Sequence, residues 1–195
     1  MIVNEGLDIK LVNNSIDVTS MPSKFDLREW GWVTPVKDQG SKGYCWVVGT
    51  VGVLESNIFK ATDTEYDLSE NNIGDNGIMY SRYGNIYDSE GGLMTTVSGL
   101  ILSWLGPIPE EDEPYDEYAK VSDIIDTQNK IHIQDVFFIP VKRTEDYIVS
   151  NETNTLIKQA LLKYGAVVMK YAGDGNYYEG ETTSIYHNDV YGTNH

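Results

Sequence analysis

The stretch Val33-Thr-Pro-Val-Lys-Asp-Gln-Gly-Ser-Lys-Gly-Tyr-Cys-Trp46 decides the reading of this chain. It sets Gln39 six residues ahead of Cys45, the one cysteine in the sequence. Beyond Cys45, Val47, Val51, Leu54 and Ile58 recur at spacings of four, three and four, the period of one helix face. The spacing predicts a helix that opens at Cys45 and runs to Lys60. Gly49, Gly52 and four valines give that helix poor intrinsic propensity, so packing must hold it and it belongs in the core. A cysteine at its head meets free backbone N–H groups and the positive end of the macrodipole, both of which favour a thiolate. The carboxamide N–H of Gln39 and the backbone N–H of Cys45 would together stabilise an oxyanion formed beside the sulfur. Gly40 and Gly43 let the loop turn sharply and keep the approach to the sulfur open. Without such neighbours, a lone cysteine reads as a small buried hydrophobe.

Composition narrows the field around this segment. A chain of 195 residues makes one ordinary domain or two small lobes, and 41% apolar residues suffice for a core. With 30 acidic and 14 basic residues the net charge is −16, which repels a phosphate backbone and argues against nucleic acid as a partner. A single cysteine forms no internal disulfide. No apolar stretch approaches the roughly 18 residues a membrane span needs, and no signal-peptide pattern opens the chain. No histidine or cysteine cluster has zinc spacing, no phosphate loop is complete, and no cofactor is called for.

Outward from Cys45, residues 1–21 read as an extended lead-in or propeptide remnant, and Pro22 to Gly40 as strand and loop. Ser69 is placed to cap a helix from Glu70. Leu93 to Leu105 carries Val97, Ile101 and Trp104 on one face before Gly106-Pro107 stops it. Glu110 to Asp116 is an acidic loop. Ile133 to Val141 and Ala166 to Ala172 read as strands, with a helix marked by Leu156, Ala160 and Tyr164 between them and Gly165 at its end. Helices first and strands late suggest an α+β fold with a helical lobe and a β lobe.

The run Gln39, Gly40, Gly43, Cys45, Trp46 resembles the active-site segment of papain-family cysteine peptidases. Pro22, Phe25, Asp26, Leu27 and Arg28 resemble the start of that family's mature domain, and Leu68-Ser-Glu-Asn-Asn72 is similar to its Leu-Ser-Glu-Gln segment. Gly91-Gly92 resembles the paired glycines whose backbone meets substrate, and Glu111, Asp112, Pro114 and Tyr115 the acidic stretch after them. Asn194-His195 resembles the pair holding the catalytic histidine, about 150 residues after the cysteine, as papain-like sequences have it. The resemblance implies a papain-like two-lobe fold over residues 22–195 and hydrolysis of peptide bonds in a protein or peptide substrate. It implies Cys45 as nucleophile, His195 as base and Gln39 as oxyanion donor, with Gly43, Trp46, Gly91 and Gly92 at the substrate. His187 and His132 compete for the base, His132 with a structural look between two isoleucines.

Departures accompany the likeness. Lys42 stands where the family has a cysteine, so the usual disulfide is absent, and Tyr44 replaces a small residue. The family's asparagine that orients the histidine lies downstream of it. The expectation is therefore a β lobe incomplete within this sequence, with a following segment of the same protein as partner and poor activity for residues 1–195 alone. Disulfide-poor members of this kind are similar to domains of prokaryotic surface proteins, which implies a secreted or cell-surface location. Two rival readings use the same residues: a catalytically dead binding module, and an acyl transferase such as a transpeptidase.

Overall fold

The computed structural model describes residues 2–3, 19–80, 91–118, 129–145, 149–170, 178–179 and 184–185. Asn194, His195 and His187 lie outside the described residues, as do residues 4–18 of the lead-in. The elements are β1 (Ile2–Val3), a 3-10 turn (Leu27–Trp30), α1 (Cys45–Thr62), α2 (Glu70–Tyr80), α3 (Met94–Leu102), β2 (His132–Ile133), α4 (Asn151–Tyr164), β3 (Tyr178–Glu179) and β4 (Ser184–Ile185). The architecture is α+β, and among the described residues helix predominates.

The helix read from the Cys45 segment is present and central. α1 packs against α2, α3 and α4. It buries Trp46, Val47, Val51, Leu54 and Ile58, each at most 9% exposed, against Ile73 of α2 and Val97, Leu100 and Ile101 of α3. A fully buried aliphatic side chain contributes about 1.5–3 kcal/mol, which outweighs the propensity cost of about 1 kcal/mol for each of Gly49 and Gly52. Glu55 is fully buried yet satisfied. It accepts hydrogen bonds from Leu68 N (2.8 Å) and the Thr34 hydroxyl (2.7 Å), and so ties α1 to the chain on both sides of it.

α2 forms on a poor helical sequence, Glu-Asn-Asn-Ile-Gly-Asp-Asn-Gly-Ile-Met-Tyr. Ser69 caps it as expected, its Oγ accepting from Asn72 N at 3.0 Å. The glycines of α2 have a packing reason. A β-carbon on Gly74 would stand 2.3 Å from the Tyr44 ring, and one on Gly77 would stand 3.0 Å from the Trp46 ring. The two aromatic side chains that flank Cys45 thus dock into two hollows on α2, one helical turn apart. α4 is capped by Ser150, which accepts from Thr153 N, and ends at Gly165 with φ 113°.

The strand expectations fare less well. Pro22 to Gly40 contains the 3-10 turn and irregular chain, with no strand. Of Ile133 to Val141 only Ile133 is paired: β2 lies antiparallel to β1, Ile2 opposite Ile133 and Val3 opposite His132. The rest is irregular, with Phe137, Phe138 and Val141 exposed. Residues 166–170 are likewise irregular, and 171–172 lie outside the described residues. A strand needs a partner for its backbone groups, and an apolar run alone does not supply one.

Candidate active site

Cys45 is the first residue of α1 and is half-buried. Tyr44 occupies the N-cap position with no side-chain cap, and its carbonyl accepts from both Val47 N and Val48 N at 2.9 Å. The thiol therefore sits at an N-terminus that no side-chain oxygen of Tyr44 covers, where the helix dipole favours negative charge.

The loop leading to Cys45 is held at every step. Gln39 is half-buried, and its Nε2 donates to the Lys42 carbonyl at 2.9 Å. That bond uses one of the two carboxamide hydrogens and fixes the plane of the group, leaving the second as a donor. The Tyr115 hydroxyl donates to the Gln39 carbonyl. Burial, then the nearby Glu70 and Glu117 carboxylates, push Tyr115 up to about 12, so it stays a donor at neutral pH. Gly40 has φ 56°, and a β-carbon there would meet Glu117 Oε2 at 2.5 Å. That oxygen accepts from Ser41 N and Ser41 Oγ, both at 2.8 Å. Glycine at position 40 suits its backbone angle, and the Glu117 carboxylate lies where a side chain would begin.

Lys42 turns inward. Its Nζ lies 3.2 Å from Asp75 Oδ1 on α2, and both side chains are 1% exposed. The same carboxylate oxygen accepts from the Tyr44 hydroxyl. The ammonium also sits 4.5 Å from the centre of the Tyr44 ring.

Gly43 is half-buried beside Cys45, and Gly91 and Gly92 are half-buried ahead of α3. Gly91 has φ 72°, a backbone angle that favours glycine, and among the described residues a β-carbon there would meet nothing within 4 Å. Trp46 does not fit a substrate-contacting role. It is 1% exposed and packs between Tyr44 and Gly77, so it supports α1 from the core. His132 stacks on Trp104 with ring centres 4.4 Å apart, which is a structural setting. Lys42, Asp75, Tyr115 and Glu117 carry the loop, and reading the sequence did not single them out for it. A signal existed for the first pair: an ammonium in place of a buried cysteine needs a counter-charge, and Asp75 is the one acid on α2 after Glu70.

Next to the loop is an acid-rich cavity of about 270 Å³, whose lining includes Lys37, Glu55, Asp67, Glu70, Glu110 and Tyr115 but not Cys45 or Gln39. Lys37 Nζ reaches Asp67 at 2.6 Å and both Glu55 and Glu70 at 2.9 Å. Burial opposes its charge, yet these three carboxylates together raise its pKa. Among the described residues Lys37 is the one basic residue in the lining, so the cavity keeps an acidic balance. Among the described residues no group of three or more His, Cys, Asp or Glu is arranged to hold a metal ion, and no helix is long and apolar enough to cross a membrane.

A thiol thus stands at the head of a buried helix on an α+β scaffold, reached through a glycine-bearing loop that carries a tethered carboxamide. The model of the papain family of cysteine proteases matches residues 21–195, and the chain belongs to that family. It is 39% identical over 103 residues to cysteine proteinase 15A of Pisum sativum, covering 51% of this chain and 28% of that protein. It is 28% identical over 164 residues to procathepsin L of Felis catus, covering 84% of this chain and 48% of that protein. A solved structure from work on antibody cross-reactivity between the mite allergens Blo t 1 and Der p 1 superposes with a TM-score of 0.52 at 25% identity. That match covers 67% of this chain and 41% of the other. The fold is papain-like, and the chain spans less than half the length of these relatives.

Proposed function

We propose that the protein is a cysteine-type endopeptidase that hydrolyses peptide bonds in protein or peptide substrates. The observation that carries this reading is the placement of Cys45 at the open N-terminus of α1, with Gln39 fixed on the loop ahead of it by its bond to the Lys42 carbonyl. In this reading the Cys45 thiolate attacks the scissile carbonyl carbon, and the carbonyl π electrons move onto oxygen. The free hydrogen of the Gln39 carboxamide and the Cys45 backbone N–H stabilise that oxyanion. His195, as imidazolium, gives its proton to the leaving amine as the C–N bond breaks. The neutral imidazole then takes a proton from water, whose oxygen attacks the thioester and releases the acid and the thiol. Gly91 and Gly92 pair with the substrate backbone, and Gly43 leaves room at the sulfur.

The same reading carries a secreted or cell-surface location, on the likeness to disulfide-poor members in surface proteins. Release of its peptides by a protease added to intact cells would agree, and recovery only after lysis would not.

Covalent labelling tests the reading. In the full-length protein an epoxysuccinyl inhibitor should modify Cys45 one-to-one near neutral pH, faster than it modifies the denatured chain. Equal rates for folded and denatured protein would point to a dead site of papain-like shape.

A further inference from the structure

We infer that the buried pair Lys42–Asp75, closed by the Tyr44 hydroxyl, is a positioning device for the oxyanion donor Gln39; this rests on the reading of Gln39 given above. The chain of contacts is short. Asp75 Oδ1, on α2, accepts from both Lys42 Nζ at 3.2 Å and the Tyr44 hydroxyl. The Lys42 carbonyl in turn accepts Gln39 Nε2 at 2.9 Å. Residue 42 is therefore fixed at its side chain by α2 while its backbone fixes the carboxamide. Asn71, one turn earlier on α2, offers its Oδ1 to the same ammonium at 3.5 Å.

Burial makes the tie directional. Both side chains of the pair are 1% exposed, so solvent does not substitute for either partner, and the attraction is little screened by salt. The Tyr44 ring cannot swing away, because it is fully buried in the hollow over Gly74. A crosslink between the loop and α2 is thereby achieved without sulfur chemistry. With Cys45 as the one cysteine, the reducing conditions that keep a nucleophilic thiol active leave the crosslink untouched.

The test is a kinetic cycle in the full-length protein. Lys42→Met alone strands a buried carboxylate, so the informative variant is Lys42→Met/Asp75→Asn, which removes both charges and keeps an acceptor for Tyr44. It should lower kcat about 10-fold with KM within about twofold, because the donor it misplaces acts in the transition state. In a Gln39→Ala background the same pair of substitutions should cost no more than about twofold, since residues acting through one group are not additive. Alkylation of Cys45 by iodoacetamide should keep its rate throughout. Should the double variant not fold, Tyr44→Phe removes only the hydroxyl and is read in the same way. A kcat loss that adds in full to that of Gln39→Ala, or no loss in the folded variant, would overturn the positioning role alone. Wild-type turnover in Gln39→Ala would instead defeat the oxyanion reading, and the positioning role with it.

Discussion

The ring of Tyr44 occupies the space that a side chain on Gly74 would need: a β-carbon there would stand 2.3 Å from Cε2 and 2.6 Å from Cζ. The ring is fully buried, and its hydroxyl is bound to Asp75, so it has nowhere to move. Gly74→Ala gains about 1 kcal/mol of helix propensity but meets an overpacking cost of about 1–3 kcal/mol. It should lower Tm by a few degrees. Gly52 of α1 is the control, for a β-carbon there meets nothing within 4 Å among the described residues. Gly52→Ala should raise Tm. Thermal unfolding of the two variants checks the contrast, and equal shifts would mean that Tyr44 does not hold this position.

Glu110 gives the protein a pH-dependent weakness. Burial pushes its carboxyl up to about 7, against the hydrogen bond from Tyr115 N that holds it down. A carboxyl raised in the folded state supports stability below its unfolded value and loses that support as pH rises through the folded value. The window runs from 4.5 to about 7. Glu110→Gln keeps an acceptor for Tyr115 N without the charge. Its stability relative to wild type should therefore increase across that window and level off above it. Denaturant titrations at a series of pH values measure the difference, and parallel profiles would remove Glu110 as the cause.

Gln39→Ala should lower turnover about 10²-fold with the fold intact, the usual cost of one oxyanion donor. Epoxysuccinyl labelling of Cys45 should persist in the same variant, because the sulfur belongs to α1 and not to the carboxamide. Steady-state kinetics beside intact-mass labelling separates the two effects. Loss of both together would mean that Gln39 holds the loop rather than the transition state.

The parts legible in the sequence were those governed by local rules. The four-three-four spacing from Val47 to Ile58 located α1, Ser69 marked the start of α2, and Gly165 marked the end of α4. The strands were misread because pairing is not local. Ile133 finds its partner at Ile2, some 130 residues away in sequence, and the apolar run after it has no ladder to join among the described residues. Trp46, which the family likeness puts at the substrate, is turned by helix geometry into the core at 1% exposure. Lys42 was noticed only as a missing cysteine. Lysine is rarely buried, and only the fold brings Asp75, 33 residues on, against it.

The central claim is that Cys45 acts as nucleophile with His195 as its base. Digestion of an unfolded protein by the full-length protein, with fragments identified by mass spectrometry, tests it against Cys45→Ala, His195→Ala and His187→Ala. The account predicts cleavage by wild type and by His187→Ala, and none above background by the other two. Cleavage that survives Cys45→Ala, or that survives His195→Ala and vanishes in His187→Ala, would contradict it.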